Sequence, residues 1–377
     1  MFFIHHNFFN LNTLVPLEFY SNFYYYFLMF FVLIFYVQST QLDIEDSKNL
    51  ISKNLLGNFV FIIVLLYIGL RPISGKYFVD MGTYAITFKD YAEGYDINKD
   101  KDVYFELFTQ FCTKIMTVEF YFLVCAALYI VPLYYASKKL FNEYWFYGFF
   151  MLIISMSFWA YGTNGIRNGI ATSFFLYAIS RNTNLKMIPF IIIAIMAHKS
   201  LTITTLAYII SRFVKNTKFI IYFWLFTILL SLAFGAFFEG VFLNLGLGDE
   251  ERIKGYFEDD EDLLEAVLKV GFRWDFIIYS ASAVFTGWYF IFKKNYKDVF
   301  YTQLYNTFLI TNAVWILVIK ANYSNRFAYL SWFLMGFVII YPLIKNKFFE
   351  NQHQVVAKII AAYFFLTFLL NVLLVKS

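Results

Sequence analysis

The chain has 377 residues, 60% of them hydrophobic and only 15% charged, with a mean hydropathy of +0.61 and a formal net charge of +4. That balance excludes a soluble globular domain, which has no use for so much apolar surface, and a disordered chain, which cannot tolerate it. The apolar stretches are continuous rather than alternating, so the sequence reads as an all-α, polytopic integral membrane protein and not a transmembrane β-barrel.

Taken in order, the predicted spans are 19–37, 55–70, one that ends near 136 behind an amphipathic lead-in, 144–159 and 166–179. After a shorter region at 187–210 come 219–238, 275–292, 304–319, 327–344 and 356–375. Each approaches the roughly 20 apolar residues that cross a bilayer. Two long polar connections separate them, 71–106 and 239–274, and no linker divides residues 1–377 into more than one membrane domain. Residues 1–19 show no basic region ahead of an apolar stretch and no small-residue cleavage site, so no cleaved signal peptide is read there.

Lysine and arginine in short connections orient the chain. Lys48/Lys53, Lys138/Lys139, Arg181/Lys186, Arg212/Lys215/Lys218, Lys293/Lys294/Lys297 and Lys345/Lys347 recur at every second connection. With Lys358 they put 15 basic and six acidic residues on the cytoplasmic side, against 15 basic and 20 acidic on the other. Arg181/Lys186 and Arg212/Lys215/Lys218 share a side, so the chain must leave and return between them in about 25 residues, too few for two full spans. The expected object is a short re-entrant-like helical hairpin over 187–210, with His198, Lys199 and Ser200 at its tip. Counted as two passes, it brings the total to about twelve membrane segments. The outer face then holds 71–106, 161–168, the hairpin tip, 239–274 and 320–326.

Basic residues in those outer connections run against the bias that positions the rest. They are Arg71, Arg167, Lys199, Arg273, Lys320 and Arg326, and six cations around one mouth of a helical bundle suit an anion. Snorkelling to lipid headgroups is the competing reading, strongest for Lys199 and Lys320. The planar, permanently charged fork of arginine favours phosphate oxygens. Arg167 is the sharpest case, because a cation at a helix N-terminus opposes the helix dipole. An anion there would bind both Arg167 and the free N–H groups, with Gly162, Asn164 and Gly165 letting the backbone come close.

His198 is either a general base or a hydrogen-bonded structural histidine, and His353 is read as a cytoplasmic loop residue without a role. In the first outer connection Asp80, Tyr84 and Phe88 fall on one face of a short helix. Asp80 is there a candidate base or sugar contact, or else an exposed loop carboxylate. Asp90, Glu93, Asp96, Asp100 and Asp102 read as solvated loop charge. In the second, the acids from Glu258 and the apolar residues Leu263, Leu264, Val267 and Leu268 describe an amphipathic helix on the membrane surface, leading to Arg273 and Asp275. Those two lie two residues apart, on different helix faces, which argues against a mutual ion pair. The only cysteines, Cys112 and Cys125, suggest neither a disulfide framework nor a metal site. The 51 Phe and 31 Tyr fit lipid-facing and interfacial positions.

Several segments follow one another in a telling order: GLR closing the second span, D-x-x-x-Y-x-x-x-F after it, IRNGIA before a span, AHKS ending a short helix, FRWDF opening a late span, and NRFAYL before the penultimate one. Together they resemble the EpsG/Wzy-type family of O-antigen, capsule and exopolysaccharide polymerases, over residues 19–344. One departure is RPISGKYFVDMGTY, where Asp80 precedes Gly82 and Thr83 and the family has a shorter glycine-threonine-aspartate-type segment. The resemblance implies a GT-C-like glycosyltransferase of a bacterial cytoplasmic membrane, with its active site facing outward. Its donor and acceptor would be undecaprenyl-diphosphate-linked oligosaccharides, with a chain-length regulator as a protein partner, no nucleic acid, no cofactor and no metal. Arg71, Arg167, Arg273 and Arg326 would bind diphosphate. Tyr84, Asn164, Lys199 and Asp275 would contact substrate, and His198 or Asp80 would supply the base. The alternatives are an O-antigen ligase, with the same donor and another acceptor, and a lipid-linked oligosaccharide flippase or transporter. A flippase needs charged groups lining the middle of several spans, whereas these cations gather on one face.

Overall fold

A computed structural model describes residues 15–97, 102–181, 183–244, 271–321 and 324–374. Every regular element among them is helical. Among the described residues seven stretches are long and apolar enough to cross a bilayer: Leu17–Ser39, Ser47–Gly69, Val118–Ile153, Thr217–Phe238, Trp274–Lys293, Arg326–Lys345 and Gln352–Leu373. The other segments expected as passes are shorter or more polar. The acidic segment after Glu258 lies outside the described residues.

The chain packs as two compact units, residues 1–199 with 347–377, and residues 200–346. The first unit holds α1 (Tyr20–Ser39), α2 (Ser47–Gly69), α3 (Val79–Glu93), α4 (Val103–Thr113), α5 (Val118–Phe141), α6 (Trp145–Ile153), α7 (Met156–Thr163), α8 (Ile166–Ile179) and α9 (Asn184–Ala197). Its last helix comes from the end of the chain and is numbered α15 (Gln352–Phe368). Between them in sequence, the second unit holds α10 (Leu201–Phe213), α11 (Thr217–Asn244), α12 (Trp274–Trp288), α13 (Val299–Leu317) and α14 (Ser324–Lys345).

Caps and glycines set the boundaries in the first unit. Asp46 and Thr117 accept from the Lys48 and Phe120 N–H groups and start α2 and α5. Gly94 ends α3 at φ 98°, a left-handed turn that a side chain would strain. The predicted span 144–159 is broken at Ile154 and Ser155 into α6 and α7. The Tyr20 and Tyr67 hydroxyls each donate to the other's carbonyl at 2.8 Å and join the start of α1 to the end of α2. At the opposite helix ends, Asn49 donates to the Tyr147 hydroxyl, which lies 3.1 Å from His353 Nε2, and His353 Nδ1 contacts the Leu42 carbonyl. His353 is therefore no loop residue: it sits in the first turn of α15, buried, as the link between three segments.

α9 and α10 are the two short apolar helices expected at 187–210, and residues 198–200 connect them. Ile188, Ile192 and Ile193 of α9 are exposed, as lipid-facing side chains would be. α8 packs on α9 through Tyr177 and Phe190, whose rings meet edge-on at 4.7 Å.

In the second unit α13 is the centre, and it is polar along one line. Asn312 accepts from Trp224 Nε1 at 2.7 Å and donates to Ser280 and Ser331, while Trp332 Nε1 donates to Ser280. The cluster ties α11, α12, α13 and α14 together, and these hydrogen bonds satisfy polar groups that an apolar interior would otherwise penalise. Gly287 of α12 leaves room for the Tyr305 ring, which would lie 2.1 Å from an added Cβ.

Candidate functional site

The charge bias assigned the connections 71–106, 161–168 and 198–200 to one face, and in the first unit residues from all three converge. α7 and α8 meet at a sharp turn, closed by Asn164 and Gly165 N–H groups that both donate to the Ala160 carbonyl at 2.9 Å. α8 then folds back so tightly that a Cβ on Gly169 would stand 2.8 Å from the Tyr161 carbonyl oxygen. This turn fixes where Arg167 emerges, on the first turn of α8.

Arg167 is buried. Its Nη1 donates to Asp102 Oδ2 at 2.9 Å and its Nε to the Tyr84 hydroxyl at 3.2 Å. The two charged side chains are only 8% and 7% exposed, so this is an interior ion pair between residues 65 apart in sequence. The Asp102 carboxylate also answers the dipole objection, because it sets an anion beside the N-terminus of α8 where Arg167 alone would be unfavourable. Asp102 Oδ1 accepts the Lys199 backbone N–H at 3.2 Å. His198, the residue that ends α9 in extended conformation, brings Nε2 to 3.8 Å from Asp102 Oδ2. A single carboxylate thus joins the approach to α4, the start of α8 and the end of α9.

Around it, Tyr84 of α3 packs edge-on against Phe105 of α4 at 6.0 Å. Glu106, in the first turn of α4, is buried and accepts from the Tyr91 hydroxyl at 2.7 Å. Asp80 is half-buried, one turn before Tyr84 on α3. Asn164 presents a buried Oδ1 that accepts no hydrogen bond, and Lys199 extends an exposed side chain.

Arg71 is placed differently from Arg167. It lies 4% exposed, with Nη1 donating to the Ile68 carbonyl at 2.6 Å and Nη2 to the Thr163 carbonyl at 2.9 Å. It therefore caps the ends of α2 and α7, where a cation is favoured by the dipole. Burial lowers its guanidinium to about 10, which keeps it charged at neutral pH.

In the second unit Arg273 and Asp275 form a bidentate pair, Nε to Oδ1 at 2.9 Å and Nη2 to Oδ2 at 2.6 Å. The expectation that they would not pair assumed both were helical. Arg273 is the residue before α12, at φ −86° and ψ 75°, so helical spacing does not apply to it. Its guanidinium also stacks 3.5 Å from the Phe276 ring centroid. Arg326 lies half-buried near the start of α14, and the Lys320 side chain crosses Gly235, 3.1 Å from where a Cβ would be.

The reading of Asp102 also needs correction. Asp102 is not solvated loop charge but the centre of the cluster. At Gly162 and Gly165 the missing Cβ leaves room for Ile68 and the Tyr161 ring, 3.0 and 3.1 Å from where a Cβ would stand, so these two glycines serve close packing inside the unit. Sequence reasoning also passed over Glu106. The available signal for both acids was position: Asp102 and Glu106 flank the first turn of α4, where acids answer the dipole.

The fold and this corner, with Arg167 and Asp102 buried and His198 half-buried beside them, define a polytopic, helical membrane protein with a charged cluster where several of its helices end. The EpsG family model matches residues 54–377, and the chain belongs to the EpsG family. No curated protein and no solved structure matches the chain.

Proposed function

We propose that the chain is a polysaccharide polymerase, a membrane glycosyltransferase that joins undecaprenyl-diphosphate-linked oligosaccharide units at the outer face of a bacterial cytoplasmic membrane. EpsG membership supports the polymerase class. The observation that carries the chemistry is the buried Arg167, held beside Asp102 and the half-buried Tyr84 and His198 within the matched region. The bond to be broken joins a sugar to a diphosphate, so negative charge grows on the leaving group. A preorganised guanidinium stabilises that charge best in a site shielded from water. His198 is the base for the acceptor hydroxyl in this reading, with Asp80 as the other candidate. The outward orientation rests on the charge bias of the short connections.

The test is a gel of the surface glycan from cells carrying Arg167→Ala, with membrane insertion checked by immunoblot. Loss of one such charge-stabilising donor costs about 10²–10³ in rate, so single repeat units should replace the polymer ladder. An unchanged ladder would sink the proposal. Loss of all surface glycan on deletion of the gene would point to a ligase or a flippase instead.

A further inference from the structure

The connections that the charge bias assigns to the cytoplasm are not charged alike in the two units. Of their 15 basic and six acidic residues, seven bases and one acid belong to the second unit, eight bases and five acids to the first. Orientation follows lysine and arginine and is nearly indifferent to acids, so it does not account for their scarcity in one unit. The single acid, Asp298, is engaged inside the protein. Its Oδ1 accepts the Tyr301 N–H at 2.7 Å, and its Oδ2 accepts from the Tyr296 and Tyr341 hydroxyls at 3.4 and 3.5 Å.

Packing gathers the seven cations at one end of the unit. Gln303 and Asn306 of α13 donate to the Tyr208 and Val214 carbonyls at the end of α10, at 3.3 and 3.5 Å. Tyr341 of α14 reaches Asp298 ahead of α13. Lys218 Nζ, on the first turn of α11, lies 5.6 Å from the centroid of the Phe292 ring, next to Lys293. Arg212, Lys293 and Lys345 stand in last helical turns, where the dipole favours a cation. Lys215 and Lys297 lie between helices, and Lys218 opposes the dipole of α11, whose first turn holds no acid. Lys215, Lys218, Lys293 and Lys297 are exposed, and none is in an ion pair with a described residue.

Large apolar side chains stand out among these charges. Phe213, beside Arg212, is 79% exposed, and Phe219, beside Lys218, is 61% exposed. Cations interleaved with exposed apolar groups suit the boundary where headgroup phosphates meet acyl chains. A soluble polyanion would use only the charges.

We propose that this end of the second unit is a binding surface for anionic phospholipid headgroups of the cytoplasmic leaflet. Lys218, Lys293 and Lys297 hold the phosphate, while Phe213 and Phe219 lie against the first carbons of the acyl chains. The surface is independent of Arg167 and its chemistry.

The experiment uses the full chain in mixed micelles. Trp288 is the reporter, because Lys293 Nζ lies 5.6 Å from its ring centroid, and its share of the fluorescence is what Trp288→Phe removes. Brominated phosphatidylglycerol is the anionic quencher and brominated phosphatidylcholine the neutral one. In low salt the native chain should favour the anionic lipid by about tenfold. Lys218→Gln, Lys293→Gln and Lys297→Gln together should reduce that preference to less than about twofold. Lys138→Gln, Lys139→Gln and Lys186→Gln together remove as much charge from the first unit and should leave the preference unchanged. Equal quenching by both lipids in the native chain would overturn the proposal. So would a preference that survives the second-unit variant, or one that falls as far in the first-unit variant. If the second-unit variant does not purify folded, Lys218→Gln alone carries the test, and the preference should fall at least about twofold. Displacement of the anionic lipid by an equal concentration of inorganic tripolyphosphate would mean that the patch takes a soluble polyanion, which also overturns it.

Discussion

Each unit of the chain contains an arginine–aspartate pair, and the two could hardly differ more. Arg167–Asp102 joins residues 65 apart and is 8% and 7% exposed, whereas Arg273–Asp275 joins residues two apart and is 37% exposed on both sides. The first pair exists only because α8, the approach to α4 and the end of α9 are brought to one point. The second is made by a single stretch of chain and needs no other element. A buried pair removed from water binds the fold to its chemistry, while a half-exposed one gains little from either.

Breaking the buried pair should have the largest effect on stability. Asp102→Ala leaves a guanidinium without its counter-charge and should cost about 3–5 kcal/mol, read as a fall in the unfolding midpoint of the purified protein. The double variant Asp102→Leu with Arg167→Met should recover most of that loss, because no lone charge remains. A double variant as unstable as the single one would mean that the pair is not the source. Arg71 sharpens the contrast within the first unit, since it is equally buried but bonded only to carbonyls. Arg71→Met should cost about 1.5–3 kcal/mol for its charged hydrogen bonds, with polymer formation falling only as far as folded protein does. The smallest effect belongs to Asp275→Asn, at about 0.2–1 kcal/mol. That loss should shrink further in high salt, which screens exposed pairs and spares buried ones.

Much of this molecule was legible in its sequence. Continuous apolar runs marked the helices, because an apolar solvent forces backbone polar groups to pair within a segment. The alternation of lysine and arginine grouped the connections by face, and residues from three of those connections do meet in the first unit. The i, i+4, i+8 spacing from Asp80 described α3 and put Tyr84 on the same helix face as Asp80. Arg167 stood out because it opposed the dipole of its own helix. Hydropathy could not show that 144–159 breaks at Ile154, since a break between two apolar helices leaves the apolar run intact. Helical spacing misjudged Arg273 and Asp275 because the first of them precedes the helix.

The sequence by itself determined the class of the protein and most of its helices, which follow from local hydropathy. Only the tertiary structure decided which acid answers Arg167. Asp102 follows a run of charged residues and resembles its neighbours in every local respect. What distinguishes it is desolvation, and a side chain loses its water only when distant segments close around it. The same closing tied Arg71 to the ends of α2 and α7 and His353 to Tyr147 and Leu42. Partner choice among buried polar groups is a property of the packed chain, because its energy comes from removing water that the sequence alone leaves in place.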